Sequence, residues 1–126
     1  VNTDPDISRA QIKINAARDL PWLEVCPAHG RSLAIVAGGP SLKARVDELR
    51  YFSGDVLALN NAYGFLLDHG ITPDLFMLMD ARRENVDFLK RTGRWTRHYI
   101  AAQCHPDIFD HLDGQYVCLY LTTLPG

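Results

Sequence analysis

No stretch of this 126-residue chain is apolar for long enough to cross a bilayer, which excludes a spanning helix within it. Cys26, Cys104 and Cys118 form no CxxC pair and no zinc-like spacing, which excludes a thioredoxin-type redox motif and a structural zinc set. An odd, widely spaced cysteine count reads as three reduced thiols and so as a cytoplasmic protein. Basic charge is not in excess either: the formal net charge is -2 and the sequence pI is near 6.2. That balance gives no sign of a general affinity for nucleic-acid backbones or anionic membranes, which usually leaves a basic stripe, although a local cluster such as Arg82-Arg83 can still bind a phosphate. The opening Val1-Asn2-Thr3-Asp4-Pro5-Asp6 is acidic and polar and does not read as a signal peptide. There is no internal repeat and no low-complexity tract. His29, His69, His98 and His111 show no metal-ligand spacing.

What is present is an ordinary globular composition, 47% hydrophobic and 22% charged, of a length that makes one domain. The chain lacks an initial Met and stops just after a strand-like run, so a piece of a longer protein is expected. Residues 1–30 read as a lead-in and an N-terminal helix. Ser8-Arg9-Ala10-Gln11 has capping-box spacing with Ile7 as a staple, which predicts a helix over about 8–19, before Pro21. Residues 31–126 then alternate regularly. Short apolar runs at 32–37, 55–59, 75–79, 98–102 and 116–121 read as buried strands. Helical patterns at 41–51, 61–69 and 83–91 separate them, with a further short helix opened by Pro106. Gly70 suits a helix C′ position. This alternation predicts an α/β, Rossmann-like three-layer domain: a five-stranded, mainly parallel sheet with helices on both faces. The expected strand order is 3-2-1-4-5, with the first strand central.

Open α/β sheets bind ligands outside the carboxyl ends of their strands. The residues just past the strands are therefore the candidates: Gly38-Gly39-Pro40-Ser41, Asn60-Asn61, Asp80, Gln103-Cys104-His105 and Thr122-Thr123. All are polar or glycine-rich, as turns also favour. Gly38 and Gly39 let the backbone approach a ligand, and Pro40 presets a first helical turn. The free N–H groups of that turn suit a phosphate, with the Ser41 hydroxyl as a further donor. The motif is neither GxxxxGK[ST] nor a full GxGxxG. Asn60 and Asn61 can grip a ribose hydroxyl or a phosphate oxygen, or cap the next helix. Asp80 can face a diphosphate only across a cation, which makes it the candidate Mg²⁺ ligand; an N-cap is the plain alternative. Arg82, like Arg83, can clamp phosphate. Gln103 joins the phosphate-binding candidates. His105 is a candidate general base, or a helix cap. Cys104 beside it is a poor nucleophile candidate, because adjacent residues seldom form a nucleophile–base pair. Asp74 opens its strand at the opposite edge and reads as a turn residue.

Ala34-Ile35-Val36-Ala37-Gly38-Gly39-Pro40-Ser41-Leu42, then Leu59-Asn60-Asn61-Ala62, Gly70-Ile71-Thr72-Pro73-Asp74 and Asp80 form an ordered series. Over roughly residues 32–90 it resembles the MptE-like family, which includes archaeal-type 6-hydroxymethylpterin diphosphokinases and motility accessory factor (Maf) proteins. The Gly38-Gly39 pair departs from that family's usual glycine spacing. The GPSL and Asn elements are also similar to those of small bacterial sialyltransferases. The resemblance implies a nucleotide or nucleotide-sugar ligand and a transferase. As a diphosphokinase, Asp80 with Mg²⁺ would align ATP. As a glycosyltransferase, the leading reading because no adenine- or pterin-specific pocket is legible, Gly39, Ser41 and Asn60 would hold the nucleotide and His105 would activate the acceptor. A non-catalytic nucleotide-binding module is a third reading. Composition gives no nucleic-acid partner, and oligomeric state is not encoded in any motif.

Overall fold

A computed structural model describes residues 4–122. The elements run α1 (Pro5–Ala16), β1 (Leu33–Val36), α2 (Ser41–Arg50), β2 (Asp55–Leu59), α3 (Ala62–Asp68), β3 (Leu75–Leu78), a 3-10 helix (Arg83–Leu89), β4 (Arg97–Ala101), α4 (Pro106–His111) and β5 (Tyr116–Tyr120). All five strands pair in parallel, and the Rossmann-like α/β expectation holds. Gly70 has φ +72°, the left-handed conformation its C′ position needs. The segment at 83–91 tightens into a 3-10 helix instead of an α-helix.

The strand order differs from the expected 3-2-1-4-5. It is β1-β2-β3-β4-β5, with β1 on an edge and β3 in the centre. Apolar runs fix which segments are strands but not on which side each new strand adds. Right-handed crossovers between sequential neighbours all fall on one face of the sheet. The second helical layer expected on the other face is therefore not supplied by these connections. The packing agrees. Val36, Val56, Ala58, Phe76, Leu78, His98, Ile100, Val117 and Leu119 alternate onto one face, where they are buried beneath helix residues such as Val46, Leu66, Ile108 and Leu112. On the other face Leu33 and Ile35 are exposed and Leu59, Met77, Tyr99 and Cys118 are half-buried, while Leu57 and Ala101 are buried.

The N-terminal helix begins earlier than its spacing predicts. Asp4 is the N-cap, its carboxylate accepting from the Asp6 N–H at 2.8 Å, and Pro5 takes the first helical position. Ser8 is a buried helix residue, not a cap. With Gln11 and Asn15 it forms a polar stripe that faces inward, while Ile7 and Ile14 face solvent. The stripe is satisfied by strand-exit carbonyls. Gln11 Nε2 donates to Ala81 O and Gln103 O, and Asn15 Nδ2 to Ala102 O and Cys104 O. Burial without these partners would cost about 1–3 kcal/mol per group. After α1, Trp22 forms a parallel bridge with Leu119, so the N-terminal segment flanks β5 at the edge opposite β1.

A polar cluster also sits inside the core. His98 is fully buried, with Nδ1 3.0 Å from Tyr116 O and Nε2 2.8 Å from the Tyr63 hydroxyl. A carbonyl only accepts, so Nδ1 carries the proton and Nε2 accepts from Tyr63. The Tyr63 oxygen in turn accepts the Gly93 N–H at 2.6 Å. Burial pushes the His98 pKa down, against a smaller upward pull from Tyr116 O. The neutral ring is thus favoured by folding, and the unfolded chain binds the extra proton. Its contribution is whole above the unfolded value of about 6.5 and is lost as pH falls through the lowered folded value. Urea unfolding at stepped pH should therefore show stability declining below pH ~6.5, by up to ~1.4 kcal/mol per pH unit. A His98→Gln variant should lose that slope; an equal slope in the variant would assign it to other groups.

Candidate functional site

The carboxyl ends of the strands bring the candidates to one edge in the order of the strands. Neighbouring strands lie ~4.8 Å apart. Gly38–Ser41 is thus beside Asn60–Asn61, about 10 Å from Asp80 and about 14 Å from Gln103 and His105. With β1 central, as expected from sequence, His105 would have been next to the glycines. The true order separates them.

The β1 and β2 exits are built against each other. A Cβ on Gly38 would lie 1.9 Å from Asn61 Oδ1 and 2.7 Å from its Cγ, so the Asn61 amide rests where any other residue would put a side chain. A Cβ on Gly39 would meet nothing within 4 Å, so that backbone faces open space. Asn60 is the one non-glycine among the described residues with positive φ, at 52°. Asparagine is one of the few residues besides glycine that takes left-handed backbone readily, so the β2 exit can turn sharply here. Neither asparagine caps α3 with its side chain. Pro40 occupies the N-cap position of α2 at φ -60°, with Ser41 first in the helix and no side chain capping the end. The first N–H groups of α2 are therefore left without a side-chain cap. An open groove of about 430 Å³ runs from Gly39 and Ser41 along the free side of β1, walled by Ile35, Leu42, Leu49, Arg45 and Glu48.

The β3 exit is a different kind of place. Asp80 accepts from Arg82 through Nε, Nη2 (2.6 Å) and the backbone N–H (3.0 Å). Asn85, buried behind it, donates to Asp80 O. Burial pulls the Asp80 pKa up, but the hydrogen bonds and charge of Arg82, with help from Asn85, hold it below the ordinary carboxylate range. Asp80 does not cap the following helix; Arg82 is at that position. Among the described residues no three His, Cys, Asp or Glu side chains cluster to hold a metal. Both Asp80 oxygens are given to the Arg82 guanidinium, so Asp80 meets a cation only where Arg82 has released it. Arg83 is taken up by Asp107, at 2.5 Å.

At the β4 exit His105 is the N-cap of α4, its Nδ1 accepting from the Asp107 N–H at 3.1 Å. Only Nε2 is left for other chemistry. Gln103 is buried, and its Oε1 accepts from the Thr122 hydroxyl at 2.7 Å. Cys104 is buried, directs its thiol at Leu78 O, and is pushed up to about 12 by burial. A thiol so far from ionisation at neutral pH is no nucleophile. Asp74 lies at the opposite edge as expected, accepting from the Val56 N–H. Thr123 falls outside the described residues. The polar stripe of α1 escaped the sequence reading, because buried Gln11 and Asn15 carry the same pattern as a solvated helix face.

A family model described as 6-hydroxymethylpterin diphosphokinase MptE-like matches residues 13–125. The chain belongs to the MptE-like family. A solved structure of a Maf glycosyltransferase from Magnetospirillum magneticum AMB-1 superposes with a TM-score of 0.79 at 17% identity, over 94% of this chain. At that identity the likeness establishes a shared fold. The MptE-like chain spans 20% of that protein's length. No curated protein matches it. No helix among the described residues is long and apolar enough to cross a membrane.

Proposed function

We propose that this MptE-like domain holds the phosphate of a nucleotide or nucleotide-sugar at the β1–β2 exits and serves a glycosyl transfer. The observation that carries the reading is the Gly38–Asn61 contact, which leaves Gly39 facing open space beside a left-handed Asn60. Phosphate lies against the uncapped N–H groups of α2 and the Ser41 hydroxyl, where the helix dipole favours an anion. Asn60 and Asn61 hold its remaining oxygens or a ribose hydroxyl. The groove along β1 takes the rest of the nucleotide. Arg82 supplies a further positive charge toward the ligand once it exchanges Asp80 for phosphate. Nε2 of His105 activates the acceptor at the far end of an extended nucleotide-sugar. The Maf fold likeness supports glycosyl transfer. The family description favours a second reading, pyrophosphoryl transfer from ATP, in which Mg²⁺ would arrive with the nucleotide.

Thermal unfolding with CMP, UDP, their sugars, ATP and GTP, each with and without Mg²⁺, tests both. A ligand at a hundred times its Kd adds about 2.7 kcal/mol to stability. Stabilisation by a pyrimidine nucleotide or its sugar is the expected result. Stabilisation by ATP alone, needing Mg²⁺ and lost in Asp80→Asn, would favour the diphosphokinase. A folded sample stabilised by none of them sinks the nucleotide site.

A further inference from the structure

The amino-terminal edge of the sheet, opposite the ligand edge, carries a feature of another kind. From Phe88 to Pro106 there is no Asp or Glu, while Lys90, Arg91, Arg94 and Arg97 fall together. The rest of the chain is acidic, so the overall balance conceals a local basic cluster. Arg94 and Trp95 are the central residues of a turn closed by the Thr96 N–H on Gly93 O, at 3.2 Å. Trp95 is 66% exposed, and the Arg94 guanidinium stacks 5.1 Å from its ring centroid. Among the described residues, Lys90, Arg94 and Arg97 have no carboxylate within ion-pair distance, whereas Arg91 is paired with Asp68. Arg97 is level with Leu75 and with the exposed Tyr116 in the strand register.

The turn is exposed at its tip but fixed at its base. The Gly93 N–H donates to the buried Tyr63 hydroxyl, and the Thr96 hydroxyl donates to Pro73 O at 2.7 Å. Thr96 is fully buried, and a Cβ on Gly93 would sit 2.2 Å from its Oγ1. A rigid base that presents a large indole to solvent with a guanidinium stacked on it, and with Lys90 and Arg97 nearby in the same segment, is a surface built for contact.

We infer that this turn docks the domain on an anionic lipid surface. The tip of a two-residue turn is convex. Single-stranded nucleic acid is held in a basic groove with several stacked bases, and peptides lie in grooves with pockets. A convex tip fits a deformable plane. There the indole lies at the headgroup level with its N–H still hydrated, and the arginine and lysine stems extend to the phosphates. This docking is independent of the reading of the ligand edge.

Vesicle sedimentation of the whole chain tests it, using phosphatidylcholine alone and phosphatidylcholine mixed with phosphatidylglycerol. Binding to the mixed vesicles only is expected, weakening as salt rises. Each cation replaced, as in Arg94→Gln or Arg97→Gln, should weaken binding about fivefold. In a Trp22→Phe background the remaining indole emission should shift to the blue on binding, and Trp95→Ala should remove most of the association. Equal binding to both vesicle types, or full binding by Trp95→Ala, overturns the assignment. So does binding of oligo-dT or polyglutamate through these residues without vesicle binding.

Discussion

Gly38→Ala is expected to weaken nucleotide binding about 10- to 100-fold, the ~1.5–3 kcal/mol of a lost charge-assisted contact, while the domain stays folded. The new Cβ would lie 1.9 Å from Asn61 Oδ1, so the amide has to leave its position. The obstacle is the end of a side chain with two rotatable bonds, not backbone, so it can swing aside at modest cost. Gly38 is also absent from the glycines with positive φ, so alanine brings no backbone strain. Loss of unfolded-state entropy even offsets part of the cost, by about 0.4–1 kcal/mol. Gly39→Ala is the companion variant: its Cβ meets nothing in the protein, so any loss of binding there reports contact with ligand. Titration of each variant with the best ligand from the thermal screen separates the two effects. Unchanged affinity in Gly38→Ala would detach the Asn61 amide from the site.

Tyr63→Phe should destabilise the fold by about 2–5 kcal/mol, a large fraction of a small domain's stability. The phenyl ring still packs on Phe76, whose centroid is 4.8 Å away. What disappears is one oxygen with two partners. The Gly93 N–H and His98 Nε2 are both buried, and each loses its hydrogen bond at a cost of about 1–3 kcal/mol. Urea unfolding at pH 7.5 gives the number. A loss below ~1 kcal/mol would mean that both groups find new partners. The variant should also loosen the Gly93–Thr96 turn, so vesicle binding should fall with it.

The strands were legible because each is a short apolar run, most of them bounded by Gly, Pro or Asp, and β2 matches its expected limits. Gly70 was legible because one backbone conformation at a helix end favours one residue. The strand order was not, since nothing in residues 33–36 says whether β1 lies inside the sheet or on its edge. That single difference moved His105 from beside the glycines to about 14 Å away. The Gly38–Asn61 contact was half legible. The sequence puts both residues at strand exits, but only adjacent strands bring them together. Asp80 and Arg82 each stand out at a strand exit, but their pairing depends on the turn geometry that brings residues two apart face to face. His98 is not legible as a buried partner of Tyr63, because a core histidine has no spacing to betray it. Asp4 and Pro5 outdid Ser8 as a helix start, although both are N-terminal signals.

The order of the strands bears on how the chain folds as it is synthesised. Each βα unit pairs with the one made just before it, so the sheet can grow strand by strand as it emerges. The first helix cannot join in. Its Gln11 waits for the carbonyl of Gln103, 92 residues downstream, and the Trp22 segment waits for Leu119. Until then α1 offers a nascent chain only an unsatisfied polar stripe. Completion of the fold is therefore coupled to the arrival of β4 and β5. A nascent chain exposed only as far as β3 would display three paired strands with the N-terminal helix still undocked, because the carbonyls of residues 102–104 are not yet there.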